Sequence, residues 1–153
     1  MRTLIAMALA LTASAALAAP PPVMRVENAW ARPAAKGQNT AIYLTIVNSG
    51  AGADVLKSVE TPLGRASLHQ SSMQGGIATM KAMSEGFPAP ARQSVVLAPG
   101  GDHIMLTHLT HALTRGQKIP AILVFQRAGR VKIEISVEMT APLSQNNANN
   151  HHR

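Results

Sequence analysis

A strict alternation near the C-terminus limits what this chain can fold into more than any other feature. Val131, Ile133, Ile135, Val137 and Met139 share one parity, and Lys132, Glu134, Ser136 and Glu138 share the other. A period of two sets one apolar face against a core and one polar face in water, which is the pattern of a half-buried antiparallel strand. The same reading places strands over residues 23–30, 40–47, 53–60, 66–71, 77–83, 94–97, 103–109 and 119–125, separated by turns rich in Gly, Pro, Asn and Ser. Ala128-Gly129 reads as a hairpin turn, and residues 119–125, apolar on both parities, as a central strand covered from both sides. Residues 84–91, with Gly86, Pro88 and Pro90, read as a surface loop. No segment after residue 22 sustains a 3.6-residue apolar period of helical length, apart from one turn near Leu109 to Leu113. Eight or nine short strands without helices predict an all-β sandwich or small barrel.

The two ends lie outside this pattern. Met1 and Arg2 precede an apolar run from Leu4 to Leu17, and Ala16-Leu17-Ala18 fits small-x-small cleavage, so residues 1–18 are expected to be a signal peptide. The run is too short and too rich in Ala for a membrane span of about 20 strongly apolar residues. Residues 23–140 are expected to form one domain, and residues 141–153, an Asn-rich run ending in His151-His152-Arg153, a disordered tail. Export sends the protein to the periplasm, where DNA is not a partner. Cleavage would remove Arg2 and bring the net charge from +7 to +6, which suits encounter with anionic lipid or an acidic protein surface. With only two Phe, one Tyr and one Trp, the chain is also poor in groups for base stacking.

Composition decides which chemistry remains. The chain has no cysteine, which excludes disulfides, thiolate zinc sites, cysteine-ligated copper centres and CxxC redox pairs. It contains no GxSxG, HExxH or GxxxxGK[ST] motif, and its seven acidic residues are too dispersed to nominate a glycosidase pair. Cleavage after Ala18 would leave Ala19 first, so a copper-binding N-terminal histidine is missing as well.

What remains is histidine and methionine. In His103-x-Met105 a strand's period of two projects an imidazole and a thioether from one face. His69 and Met80 stand ten residues apart across a turn expected at residues 71–76. If the three strands converge, His69, Met80, His103 and Met105 can surround one ion. Soft neutral thioethers favour Cu(I) over zinc, which prefers thiolate or carboxylate, and over calcium or magnesium, which take oxygen. Each of these residues also has a plain reading, since a lone Met in a sandwich commonly fills core gaps and a lone His commonly sits at a solvent edge. Met24 and Met139 take the packing reading. Met73 and Met83 are spare soft ligands or packing residues. His108 has the parity opposite to His103, His111 lies in the following turn, and both read as non-ligands. His151-His152 reads as a weak Cu(II) capture site or a remnant outside any preformed site.

His69, ten residues, Met80, twenty-two residues and His103-x-Met105 resemble the motif of the PCuAC-type periplasmic copper chaperones. The resemblance extends to Asn28-Ala29-Trp30-Ala31-Arg32, to residues 41–48, to Ala98-Pro99-Gly100-Gly101-Asp102-His103-Ile104-Met105-Leu106 and to Val124-Phe125. The second gap is one residue longer than the family's. The extra residue is assigned to residues 84–92, because a one-residue register shift would turn Met80 to the other face. The resemblance implies a cupredoxin-like β-sandwich or Greek-key barrel, monomeric and non-catalytic, with Cu(I) held by His69, Met80, His103 and Met105. It further implies delivery to the cytochrome c oxidase subunit that carries the dinuclear copper site, alongside a Sco-type thioredoxin-like protein. The competing readings are a non-catalytic exported binding module, a copper storage or resistance protein, and a copper oxidase using the same residues.

Overall fold

The computed structural model describes residues 18–142, so the expected signal peptide, apart from Ala18, and nearly all of the expected tail fall outside the described residues. Ten strands and no helix occur among the described residues: β1 Met24–Ala31, β2 Thr40–Asn48, β3 Asp54–Glu60, β4 Arg65–Gln74, β5 Ile77–Ala82, β6 Phe87–Ala89, β7 Gln93–Leu97, β8 Asp102–Thr107, β9 Lys118–Phe125 and β10 Gly129–Val137. They form one sheet in the order β5-β4-β8-β2-β1-β10-β9-β3-β6, with β7 pairing along β2 beyond the end of β8. The sheet rolls up, packing β3 on β4 and β6 on β7, and its inner face closes over a single core. That core includes Ile42, Leu44, Ile46, Leu56, Phe87, Ile104, Leu106, Leu123 and Ile135, all at most 2% exposed.

Alternation built this wall wherever it was clean. In β10 Ile135 and Val137 are fully buried while Arg130, Lys132 and Glu134 are exposed. The β9–β10 hairpin turns at residues 126–128 with Gly129 at a φ of 76°. The carboxylate of buried Asp54 accepts the backbone N–H groups of Arg127 and Ala128 at 2.9 and 2.8 Å, fixing that turn from β3.

Four expectations need correction. Residues 84–91 are not all loop, because β6 pairs with the β3 edge and buries Phe87 and Ala89, each 1% exposed. Pro88 between them faces outward, which an edge strand tolerates because a proline lacks only the donor. Strand β9 is covered on one face alone, since a rolled single sheet has only one interior; Pro120 is exposed while Ile122 and Val124 are half-buried. Strand β4 continues to Gln74, and the hairpin turn is just Gly75-Gly76, with φ of 57° and 79°. Two positive φ values match a tight two-residue turn whose twist suits the flanking strands, so pairing persists to its edge. Finally, Met139 lies past the end of β10 and is 61% exposed, so it packs in no core.

Candidate metal centre

Strands β5, β4 and β8 are neighbours, and their register decides which side chains share a face. His69 on β4 stands directly opposite His103 on β8, and Ser67 stands opposite Met105. On the other side of β4, Met80 stands opposite Ser71 and Ala82 opposite His69. In antiparallel pairing, opposed residues project from the same face, so His69, Met80, His103 and Met105 all emerge on the outer face, away from Ile104 and Leu68. Neither ladder contains a register shift. The face formed by these three strands carries no carboxylate, and Asp102, with the opposite parity to His103, bonds Gln70 at 2.9 Å.

The histidines are placed differently from the methionines. Their ring centroids are 5.9 Å apart, a span that two metal–nitrogen bonds of about 2 Å and the two ring radii can fill. His103 is 4% exposed, and its Nδ1 lies 3.0 Å from the Gly101 carbonyl oxygen. A carbonyl can only accept, so Nδ1 carries the proton and Nε2 is left with a free lone pair. This is the second-sphere arrangement that orients metal-binding histidines. His69 uses the opposite nitrogen: its Nε2 is 3.0 Å from the Ser67 hydroxyl, while its buried Nδ1 has no hydrogen-bond partner. An orphaned buried nitrogen costs free energy unless something else binds it; with the Ser67 hydroxyl accepting from Nε2–H, Nδ1 keeps a lone pair, and a cation set between it and His103 Nε2 would satisfy both. The residues therefore fit a soft monovalent cation. Among the described residues, no group of three or more His, Asp or Glu gathers to hold a harder one.

Met105 is half-buried beside His103, whereas Met80 is 53% exposed on the edge strand. The two methionines lie on opposite sides of the histidine pair along the strand direction. At the spacings of a flat sheet their Cα atoms would be about 16 Å apart, so joint coordination depends on the twist of the β4–β5 hairpin. Met73 shares this face and is 68% exposed. Met83 packs half-buried against the core from the opposite parity. His108, at a φ of 54°, and His111, bonded to the Thr110 hydroxyl, are exposed beyond β8.

Sequence reasoning missed the wall behind His103. Tyr43 on β2 lies 6.5 Å from the His103 ring, Trp30 on β1 lies 4.9 Å from Tyr43, and the Arg32 guanidinium lies 6.0 Å from the Trp30 ring centroid. Trp30 and Tyr43 are 5% and 9% exposed despite facing outward from the barrel. Strict alternation would set Ala29 opposite Tyr43; a bulge between Glu27 and Trp30, with Asn28 at a φ of 52°, substitutes Trp30. The available signal was that the chain's single Trp and single Tyr, Trp30 and Tyr43, fall in two of the segments that carried the family resemblance.

The sequence model of the LpqE-like family, described as "Putative lipoprotein LpqE-like", matches residues 24–137, the whole strand-bearing region. The chain belongs to the LpqE-like family. This LpqE-like chain is also similar to "Putative lipoprotein Lxx21020" of Leifsonia xyli subsp. xyli (strain CTCB07), at 32% identity over 80% of this chain and 74% of the relative. Among solved structures it resembles the copper-bound PCuAC domain from PmoF2, with 27% identity, a TM-score of 0.64, and coverage of 78% of this chain and 93% of that domain. The apo PCuAC domain from PmoF1 matches at 30% identity and a TM-score of 0.62, covering 78% of this chain and 94% of that domain. CuI-DR1885 from Deinococcus radiodurans matches at 30% identity and a TM-score of 0.57, covering 74% and 78%. The LpqE-like chain thus has the cupredoxin-like β-barrel of PCuAC domains.

Proposed function

We propose that this protein is an exported, monomeric carrier of Cu(I), held between His69 and His103 with Met105 as the third donor and Met80 as an outer fourth. The observation that carries the reading is the histidine pair, whose free nitrogens, His103 Nε2 and the orphaned His69 Nδ1, belong to rings 5.9 Å apart on a face without carboxylates. A neutral set of two imidazoles and two thioethers favours Cu(I) over Cu(II) and holds it without a redox step. The copper-bound PCuAC domain and CuI-DR1885 support the same cargo.

Release follows from the uneven burial. An acceptor thiolate entering from the hairpin side replaces the thioether of exposed Met80, a weak donor, and the ion moves on by successive ligand exchange with no change in oxidation state. The buried His103 is the last contact to break. No catalysed reaction is part of this reading. The recipient we propose is the cytochrome c oxidase subunit with the dinuclear copper site, with a Sco-type protein as a further partner, because those thiol-bearing acceptors supply the stronger soft ligand. Periplasmic residence is proposed from the apolar N-terminal run. The family and the Leifsonia xyli relative are both named putative lipoproteins, which supports an exported location.

Competition with a Cu(I) chelator, together with X-ray absorption to count nitrogen and sulfur neighbours, tests the proposal. One ion per chain with both neighbour types is expected; an apo protein unable to withdraw Cu(I) from the chelator overturns it.

A further inference from the structure

The face that carries the candidate centre does not end at Met80. Met73 and Met80 are diagonal neighbours across the β4–β5 ladder, because Met80 opposes Ser71 and Met73 opposes Ala78. The other diagonal neighbour of Met80 on β4 is His69. Diagonal Cα separations of about 7–8 Å are within reach of long side chains, so the Met80 thioether can turn toward either one. Met73 itself is four residues along β4 from His69, about 13 Å at strand rise, too far to share an ion held between the histidines.

Exposure falls along this line, from 68% at Met73 to 53% at Met80 and 4% at His103. The hairpin that carries the two methionines is an edge of the sheet, every residue of β5 is exposed, and no core packing accounts for apolar side chains there. Unbranched thioethers in water keep their rotamer freedom and their sulfur lone pairs accessible. At the inner end of the line lies the orphaned His69 Nδ1, a buried polar atom with no protein partner.

We propose that Met73 and Met80 form a separate outer station that captures Cu(I) first. The ion then pivots on the Met80 sulfur to the histidine pair. This inference rests on the Cu(I) reading above and deepens it by assigning the entry route. The transfer is ligand exchange: Cu(I) keeps its charge, the bond to the Met73 sulfur breaks as bonds to His69 and His103 nitrogens form, and the protonated ring nitrogens keep their protons. Two thioethers hold the ion weakly, and a pair of imidazoles, one buried and oriented by the Gly101 carbonyl and one half-buried, holds it more strongly, so the movement is downhill. Met83, on the opposite parity against the core, has no part in it.

The test uses the full chain, with Cu(I) supplied as its acetonitrile complex and uptake followed by stopped flow. Met73→Leu is expected to slow uptake several-fold while leaving the affinity in chelator competition unchanged; Met83→Leu should alter neither. Methionine methyl NMR of full-chain His103→Ala, in which the inner site is broken, should shift the Met73 and Met80 resonances together on addition of Ag(I), a redox-inert analogue. Uptake by Met73→Leu at the wild-type rate, or a Met73 methyl that stays unmoved, overturns the outer station while one-ion binding by the wild type leaves the central site standing. A wild-type chain that takes up no Cu(I) overturns both.

Discussion

The outer face of strands β5, β4, β8 and β2 has two unlike halves. On the β8–β2 side, His103 is buried beside Tyr43, which Trp30 backs, its tautomer is set by the Gly101 carbonyl, and its strand is anchored by Ile104 and Leu106, both 0% exposed. On the β4–β5 side, a hairpin with a two-residue glycine turn stands at the sheet edge, with Met73 and Met80 on this face and Ile77 on the reverse all more than half exposed. The difference shows how one centre can serve both retention and release. A rigid half preorients the stronger ligands so that binding costs little reorganisation, and a solvated half leaves the weaker ligand open to a competing thiol.

The largest expected effect comes from breaking the rigid half at its base. Ile104→Ala leaves a cavity beneath His103 and should lower stability by about 2–5 kcal/mol in urea unfolding, as buried Ile-to-Ala changes do. Next, His103→Ala should reduce Cu(I) affinity beyond the roughly 10–100-fold typical of second-sphere losses, measured by chelator competition. An effect below tenfold would show that the buried histidine is not the principal ligand. The methionines sharpen the contrast directly. Met105→Leu should cost more affinity than Met80→Leu, measured by the same chelator competition; equal losses at the two sites would contradict the division of the face. On the reverse of the solvated hairpin, Ile77→Ser should change stability by no more than about 0.5 kcal/mol, since its side chain is 68% exposed.

The smallest effect serves as a control away from both halves. Arg130 forks onto Glu60 at 2.8 and 2.7 Å and holds its carboxyl below the ordinary carboxylate value, chiefly through that hydrogen bond. A depressed folded-state value adds stability above the unfolded pKa and loses it as pH falls through the folded one. The small difference in thermal midpoint between wild type and Glu60→Gln should therefore be present at neutral pH and vanish in strong acid. Copper binding should not follow it.

Much of this architecture could be read directly. The alternation in β10 and the polar turns around β2 and β3 specify strands because hydrophobic burial on one face is a local, two-residue pattern. The spacing His103-x-Met105 places both residues on one face for the same reason. Where the local pattern was weak, reading failed: Phe87-Pro88-Ala89 forms a strand only because β3 offers an edge and the core has room for Phe87, and neither can be seen from the segment itself.

The sequence by itself determined the all-β class, the absence of any thiol chemistry and the set of soft donors, since these depend on composition and on neighbours along the chain. Only the tertiary structure decided that His69 opposes His103, that their free nitrogens are Nδ1 and Nε2, and that a bulge at Asn28 brings Trp30 rather than Ala29 against Tyr43. Those outcomes depend on register between strands distant in sequence. Register is set by the sum of core packing across the barrel, so a shift of one residue would turn a ligand to the opposite face without changing any local motif.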